Sequence, residues 1–348
     1  MNAHRAAAPL FVSTLLATWL LLPSAGLAQP PDPSMVLVPE GAFVMGGNTN
    51  VGLFPVNPEE KPQHTVQVSA FYVDAYEVYQ NLWNWVTNFN GGNGYTYSNP
   101  GSGKSNLHPI QSINWFDAVK WCNARSQRDG LTPVYYTDAG FQTIYKAGET
   151  VPYVNWFANG YRLPTEAEWE KAARGGVANT RFPWTDYTNR ISHAKANYYG
   201  GMIAEPWDLS VGYNPAYTNG GITPFTSPVG DFSANGYGLY GVMGNVFEWC
   251  WDWYLTNYYT ASPATDPRGP ATGTYRILRS GSWLDGAYTC SSRSRALPDI
   301  ENNEIGFRCV ARRVESANDY NANGQSDFPV FNPADGSWYI SSTNRSII

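Results

Sequence analysis

The sequence predicts one main α+β domain with much irregular structure, and three observations carry that reading. Apolar periodicity comes in short stretches, three at helical spacing and several at strand spacing. The intervals between them are rich in Gly, Asn, Ser and Pro, the residues of turns and loops. The 348 residues include 14 Trp, 24 Tyr and 33 Gly, a composition suited to irregular backbone packed by large amphipathic rings.

Taken in order, residues 1–28 read as a secretion signal. His4 and Arg5 precede the apolar run Leu10 to Leu22, and small residues lead to Ala28. That run is short and is followed by Pro23, so it spans a bilayer poorly, and no later segment is a transmembrane candidate. The chain is therefore expected to be exported, to periplasm or medium, with about 320 residues remaining for one large domain or two small ones.

From Met35, MVLVPEGAFVMGG alternates and then turns, which predicts a strand and hairpin. Gly47 to Gln63 reads as a loop. HTVQVSAFYV (64–73) alternates again, and Val78, Leu82, Trp83 and Val86 fall at helical spacing within 77–86. After a Gly, Asn and Ser-rich loop at 88–106, Ser112 and Asn114 offer caps for a second helix, with Cys122 expected near its end. Residues 130–160 predict two short strands with a polar tip at 147–150. In YRLPTEAEWEKAARGG, Thr165 and Glu168 form a capping box and Gly175 ends a third helix. Residues 182–229 show almost no periodicity, more than an unsupported loop should have, so something must order them; bound calcium is one candidate. Strand-like pieces return at 231–254 and 275–313.

The tail, 314–348, differs in character. In DYNANGQSD, Asp319, Asn321, Asn323 and Asp327 sit at nearly the spacing of a calcium loop, with Gly324 at the sharp turn. The following FPVFNPADGSWYI predicts two short strands and resembles part of an FG-GAP-like repeat.

Only 14% of residues are charged and the net charge is −6, which leaves no electrostatic footprint for nucleic acid. His4, His64, His108 and His193 are scattered without metal-site spacing. Cys122, Cys250, Cys290 and Cys309 form no CxxC pattern. In an exported chain they allow three disulfide pairings.

Seven ordered motifs, VPEGAFVMGG (38–47), YVDAYEVYQ (72–80), INWFDAVKWCN (113–123), RLPTEAEWEKAARGG (162–176), ANGYGLYGVMGNVFEWCWDWY (234–254), RSGSWLD (279–285) and IGFRCVARR (305–313), resemble the formylglycine-generating enzyme family, also called sulfatase-modifying factors. The resemblance spans residues 35–313. It implies a variant C-type-lectin-like fold, structural calcium, and, in active members, oxidation of a peptidyl cysteine to formylglycine by oxygen and a copper(I) ion held by two cysteines five residues apart.

The matching stretch here is GSWLDGAYTC, which keeps Cys290 and the neighbouring Ser282 but has Asp285 at the first cysteine position. A carboxylate is a hard ligand and binds Cu(I) weakly. Glu304 stands in place of an active-site Asn, and Phe247 in place of a Trp, at the implied substrate pocket. The resemblance further implies calcium ligands at Asn197 and Tyr198 for one site and at Gly244, Val246 and Glu248 for another, where Gly241 stands in place of a side-chain ligand. It also implies a Cys122–Cys309 disulfide. The family's second link is lost at both ends, at Ala173 and Arg295, and Cys250 and Cys290 are left over, expected in an oxidising compartment to form a plain second disulfide rather than to stay two free thiols. The expected function is an exported binding or structural module that lacks the copper-dependent oxidase activity, with a peptide, glycan or cell-surface protein as the partner to be bound. The alternative is an active oxidoreductase of the same type, or a divergent relative, using Cys290.

Overall fold

A computed structural model describes residues 34–48, 56–186, 188–203, 206–218 and 220–313, together with strands at 329–332, 337–340 and 345–347. The secretion signal and the tail loop Asp319, Asn321, Asn323 and Asp327 lie outside the described residues. The chain divides into a main unit, 30–314, and a second unit that takes in 315–348.

The main unit opens with β1 (Met35–Val38) and β2 (Gly41–Met45), which do not pair with each other. The expected hairpin is replaced by two longer-range ladders. β2 pairs with β3 (His64–Val68), while β1 pairs with β4 (Phe71–Asp74), so the alternating run 64–73 is two strands broken at Ser69 and Ala70. Helix α1 spans Gln80–Thr87 and α2 spans Trp115–Arg128. The Asn114 side chain caps α2 by accepting from the Asp117 N–H at 2.8 Å.

Helix α2 runs further than expected, so Cys122 lies in mid-helix rather than near an end. The reason is that its polar second half is buried and partnered. Arg125 pairs with Asp74 at 2.8 Å, and the Asn123 amide bonds the backbone of Val134, Tyr135 and Tyr145. The hairpin β5 (Tyr135–Tyr136) and β6 (Tyr153–Val154) follows as expected.

After β7 (Tyr161–Arg162) comes α3 (Glu166–Arg174), with the full capping box of Thr165 and Glu168 and a left-handed Gly175 at its end. All nine of its residues are buried. β8 (Phe247–Trp253), β9 (Arg276–Arg279), β10 (Ser294–Ala296), β11 (Ile305–Gly306) and β12 (Val310–Arg312) complete the unit. They form two four-stranded sheets, ordered β1-β4-β12-β7 and β10-β9-β8-β11, in which only the β8–β11 pairing is parallel.

Two apolar clusters hold these layers. The first joins α1, α2 and the Phe307 turn: Trp83 and Trp121 stack at 5.8 Å, and Phe307 meets Trp121 edge-on at 5.3 Å. A buried ring of this kind removes ~150–250 Å² from water, an upper bound of ~4–6 kcal/mol each. The second gathers Val66, Trp169, Ile277, Cys250 and Cys290 around α3.

Several of the charges that enter this core are paired. Glu166 accepts from Arg293 Nε at 2.6 Å and from Arg279 Nη1 at 3.1 Å, and Glu170 accepts from Arg279 Nη2 and Arg174 Nη2, both at 2.6 Å. Residues 182–229 form no helix and no extended strand among those described. They are tied instead by isolated bridges, Ile191 to Asp208, Asn197 to Gly244 and Gly200 to Gly212, and by edge-on rings at Tyr199, Tyr213 and Phe225.

In the second unit, β13 (Pro329–Asn332), β14 (Ser337–Ile340) and β15 (Arg345–Ile347) form a three-stranded antiparallel sheet, which contains the two strands expected there.

Candidate functional site

Strand β9 leads into a tight turn at Ser280 and Gly281, both at left-handed φ, which throws Ser282 inward. A side chain at Gly281 would press on the Tyr288 ring, with its Cβ 3.0 Å from Cγ, so glycine lets the turn close on that ring. The buried Ser282 hydroxyl then organises the site. It donates to Glu304 Oε2 at 2.7 Å, lies 3.3 Å from Asp285 Oδ2, and accepts from the N–H groups of Leu284 and Asp285 at 3.2 Å each.

Glu304 arrives from the turn before β11, fixed by its N–H donating to Asn302 Oδ1 at 2.8 Å and its carbonyl accepting from Phe247 N at 2.7 Å. Burial raises the Glu304 pKa. The Ser282 hydrogen bond opposes the rise, while the charge of Asp285 and a hydrogen bond to it add to the rise. Ser282, Asp285 and Glu304 are thus one hydrogen-bonded cluster in which Glu304 holds its proton more tightly than an ordinary carboxyl. Phe247 borders it and meets Tyr288 edge-on at 5.3 Å.

Cys290 is placed differently. It lies in the second apolar cluster, its N–H donating to Arg181 O at 2.8 Å and its carbonyl accepting from Arg279 Nη2 at 2.6 Å. Burial pushes its thiol up to about 12, against the opposing pull of Arg174. Cys250, on β8, is equally buried, and burial together with the Asp252 carboxylate drives its thiol well above the usual range.

All four cysteines are thiols in the structure. Cys122 and Cys309 are nevertheless brought together, with their sulfurs 3.5 Å apart. Cys250 and Cys290, expected to form the second link, both lie in the second apolar cluster, one within β8 and the other in a turn whose backbone is held by Arg181 and Arg279.

The residues expected to hold calcium fall into two connected groups. In the first, the Asn197 amide donates to Phe225 O at 2.8 Å, Tyr198 O lies 3.1 Å from His193 Nε2, and the Tyr198 hydroxyl bonds Asp208. These contacts tie described residues of 182–229 to one another.

The second group is joined to the first through the bridge from Asn197 to Gly244. Gly244 has φ +78°, and a Cβ there would overlap the Asn197 carbonyl oxygen, so only glycine fits. Its own carbonyl accepts from the Ser280 hydroxyl at 3.0 Å. Val246 is buried beside it. The Glu248 carboxylate accepts from Arg308 Nε and Nη2 and from Trp169 Nε1, each at 2.7 Å.

Among the described residues no three His, Cys, Asp or Glu side chains converge as a metal centre. The sequence reading missed Glu77, which packs over Gly241. Its Oε1 accepts from Asn245 Nδ2 at 3.0 Å, while its Oε2 is buried and has no hydrogen-bond partner. Burial pushes Glu77 up to about 7, opposed by Arg308 and reinforced by Glu248. Its signal lay in the quoted motif YVDAYEVYQ, but nothing there says what the carboxylate meets.

Comparison with known proteins adds the following. A family model described as the sulfatase-modifying factor enzyme 1-like domain matches residues 24–313. The formylglycine-generating enzyme of Thermomonospora curvata is 33% identical over 299 residues, covering 80% of this chain and 93% of that protein. The chaperone protein LppX of Paenibacillus barcinonensis is 34% identical over 259 residues, covering 70% and 83%. The solved structure of Treponema denticola variable protein 1 superposes with a TM-score of 0.61 at 27% identity, covering 80% of this chain and 94% of that one.

Proposed function

Because this chain belongs to the sulfatase-modifying factor family, we propose that it is an exported member that has lost the copper-dependent cysteine oxidase activity and serves as a binding module. The observation that carries this is the cluster of Ser282, Asp285 and Glu304. Where the family chemistry needs a soft thiolate, this chain offers carboxyls already hydrogen-bonded to a serine, and the remaining Cys290 is a protonated thiol buried in the core. Copper(I) selects thiolates, and a carboxyl pair does not replace one.

The residues present do not fit copper(I). They do suit recognition. Tyr199, Tyr213 and Phe225 are half-buried around Trp283, and the Tyr199 N–H donates to the Asp285 carbonyl at 2.9 Å. Rings on irregular loops beside fixed carboxyls form an adaptable surface for a peptide, glycan or cell-surface protein. Kinship to a protein named as a chaperone is in keeping with a peptide ligand.

The test has two arms. Mass spectrometry of a cysteine-containing sulfatase peptide incubated with the copper-loaded protein should show no aldehyde product; turnover of that peptide overturns the reading. Screening of immobilised peptide and glycan libraries should give binders whose affinity falls at least tenfold in Tyr213→Ala. Binders indifferent to that substitution would move the recognition surface elsewhere.

A further inference from the structure

We propose that Glu77 supplies the side-chain ligand of a calcium ion held against the turn from Gly241 to Glu248, in place of the side chain that Gly241 lacks. Glu77 comes from the segment between β4 and α1, far from that turn in sequence, and three observations place its carboxylate there for a cation.

The first is steric. A Cβ built on Gly241 would overlap both oxygens of the Glu77 carboxylate and lie 2.5 Å from its Cδ. Glycine at 241 and the carboxylate at 77 therefore occupy complementary halves of one space. A side-chain ligand at 241 and Glu77 in its present position exclude each other.

The second is an orphan. Glu77 is 1% exposed, its Oε2 has no hydrogen-bond partner, and its Oε1 is met by the neutral amide of Asn245. A buried carboxylate with one oxygen unpartnered is costly unless a cation or further donors meet it.

The third is charge. Glu77 and Glu248 are both fully buried, and the guanidinium near both is Arg308. Every nitrogen of Arg308 is already engaged, Nε and Nη2 with Glu248, Nη2 also with Tyr240 O, and Nη1 with the carbonyls of Asp74 and Ala75. Two buried carboxylates share one guanidinium, and the one left over is Glu77.

A hard divalent cation fits this donor set. Calcium takes oxygen ligands from carboxylates and backbone carbonyls in flexible geometry, and Glu77, Glu248 and the carbonyls of Gly244 and Val246 are donors of that kind. Two carboxylates and carbonyl oxygens suffice, so no cluster of three acidic side chains is required.

Calcium bound per full-length chain is to be counted by elemental analysis after EDTA treatment and dialysis against buffered calcium, with melting temperature followed in parallel. Three proteins are compared: wild type, Glu77→Gln, and the double variant Glu77→Ala with Gly241→Asn, which moves the ligand to the other half of the shared space. Asparagine tolerates the left-handed φ at 241.

The proposal expects Glu77→Gln to hold one ion fewer than wild type and to lose the corresponding rise in melting temperature. The double variant should hold the wild-type number. Equal counts in wild type and Glu77→Gln overturn it, as does a double variant that holds one ion more than wild type, since the native site would then have been empty. Should Glu77→Gln fail to fold, the comparison of wild type with the double variant decides alone.

Discussion

The sulfur of Cys122, in the middle of α2, lies 3.5 Å from the sulfur of Cys309, which enters β12. The two residues are 187 positions apart, and both sit within the first apolar cluster. A disulfide would close that gap to about 2.05 Å. In protein secreted into an oxidising compartment, non-reducing peptide mapping is expected to find this bond, and its reduction to cost roughly 2–4 kcal/mol in denaturant unfolding. Recovery of both as free thiols from such protein would refute the pairing.

Cys290 should be inert in the native protein. Its thiol is held up at about 12 by burial, so at pH 8 the thiolate fraction is on the order of one in ten thousand. Iodoacetamide is expected to leave Cys290 unlabelled in the folded chain and to label it once the chain is unfolded. Rapid labelling in the folded state would place the thiol in an accessible site and revive the oxidase reading.

Glu304 gives the site a pH dependence whose sign follows from its raised pKa. The folded state holds the Glu304 proton more tightly than the unfolded chain, so its contribution is fully present below the ordinary carboxyl value of 4.5 and is lost as pH rises through the higher folded value. Glu304→Gln removes the titration. Its melting temperature is expected to vary less than that of wild type between pH 4.5 and neutrality. Parallel curves would show that the folded chain does not hold the Glu304 proton more tightly than the unfolded one.

Arg279 bridges Glu166 and Glu170 inside the core, and the three side chains are at most 1% exposed. Replacing it with Met keeps the bulk and leaves two buried carboxylates with one guanidinium each. Arg279→Met is expected to destabilise by roughly 3–5 kcal/mol, read as a lowered urea midpoint. A loss below about 1 kcal/mol would mean that Arg174 and Arg293 suffice.

These features differ in how far the sequence announces them. Helix α3 was legible because its signals are local: Thr165 and Glu168 satisfy each other across three residues, and Gly175 supplies the left-handed end. The length of α2 was not, because Asn123 and Arg125 look like surface residues until β5 and Asp74 are folded against them. The opening hairpin failed for a related reason: β1 alternates correctly, but its partner β4 is chosen by the sheet that β12 completes. At the site, Ser282, Asp285 and Glu304 were all marked by motif position, yet their union as one hydrogen-bonded group is a property of two turns meeting in space. Glu77 was beyond reach altogether, since its meaning depends on the absence of a side chain at Gly241.

The stretch from 182 to 229 has a consequence for how this protein will look in solution. Its backbone is fixed by side-chain amides, isolated bridges and interlocked rings rather than by ladders. Far-ultraviolet circular dichroism responds to repeating peptide geometry and will report a chain that is mostly coil. Hydrogen exchange responds to whether an individual amide is shielded, and will find slow protons in the same stretch, at Ile191, Leu209 and Asn245 beside it, whose N–H groups are each committed to a carbonyl. Spectroscopic coil and kinetic rigidity coexist here, so a variant that loosens this stretch would pass unnoticed in the first measurement and be plain in the second.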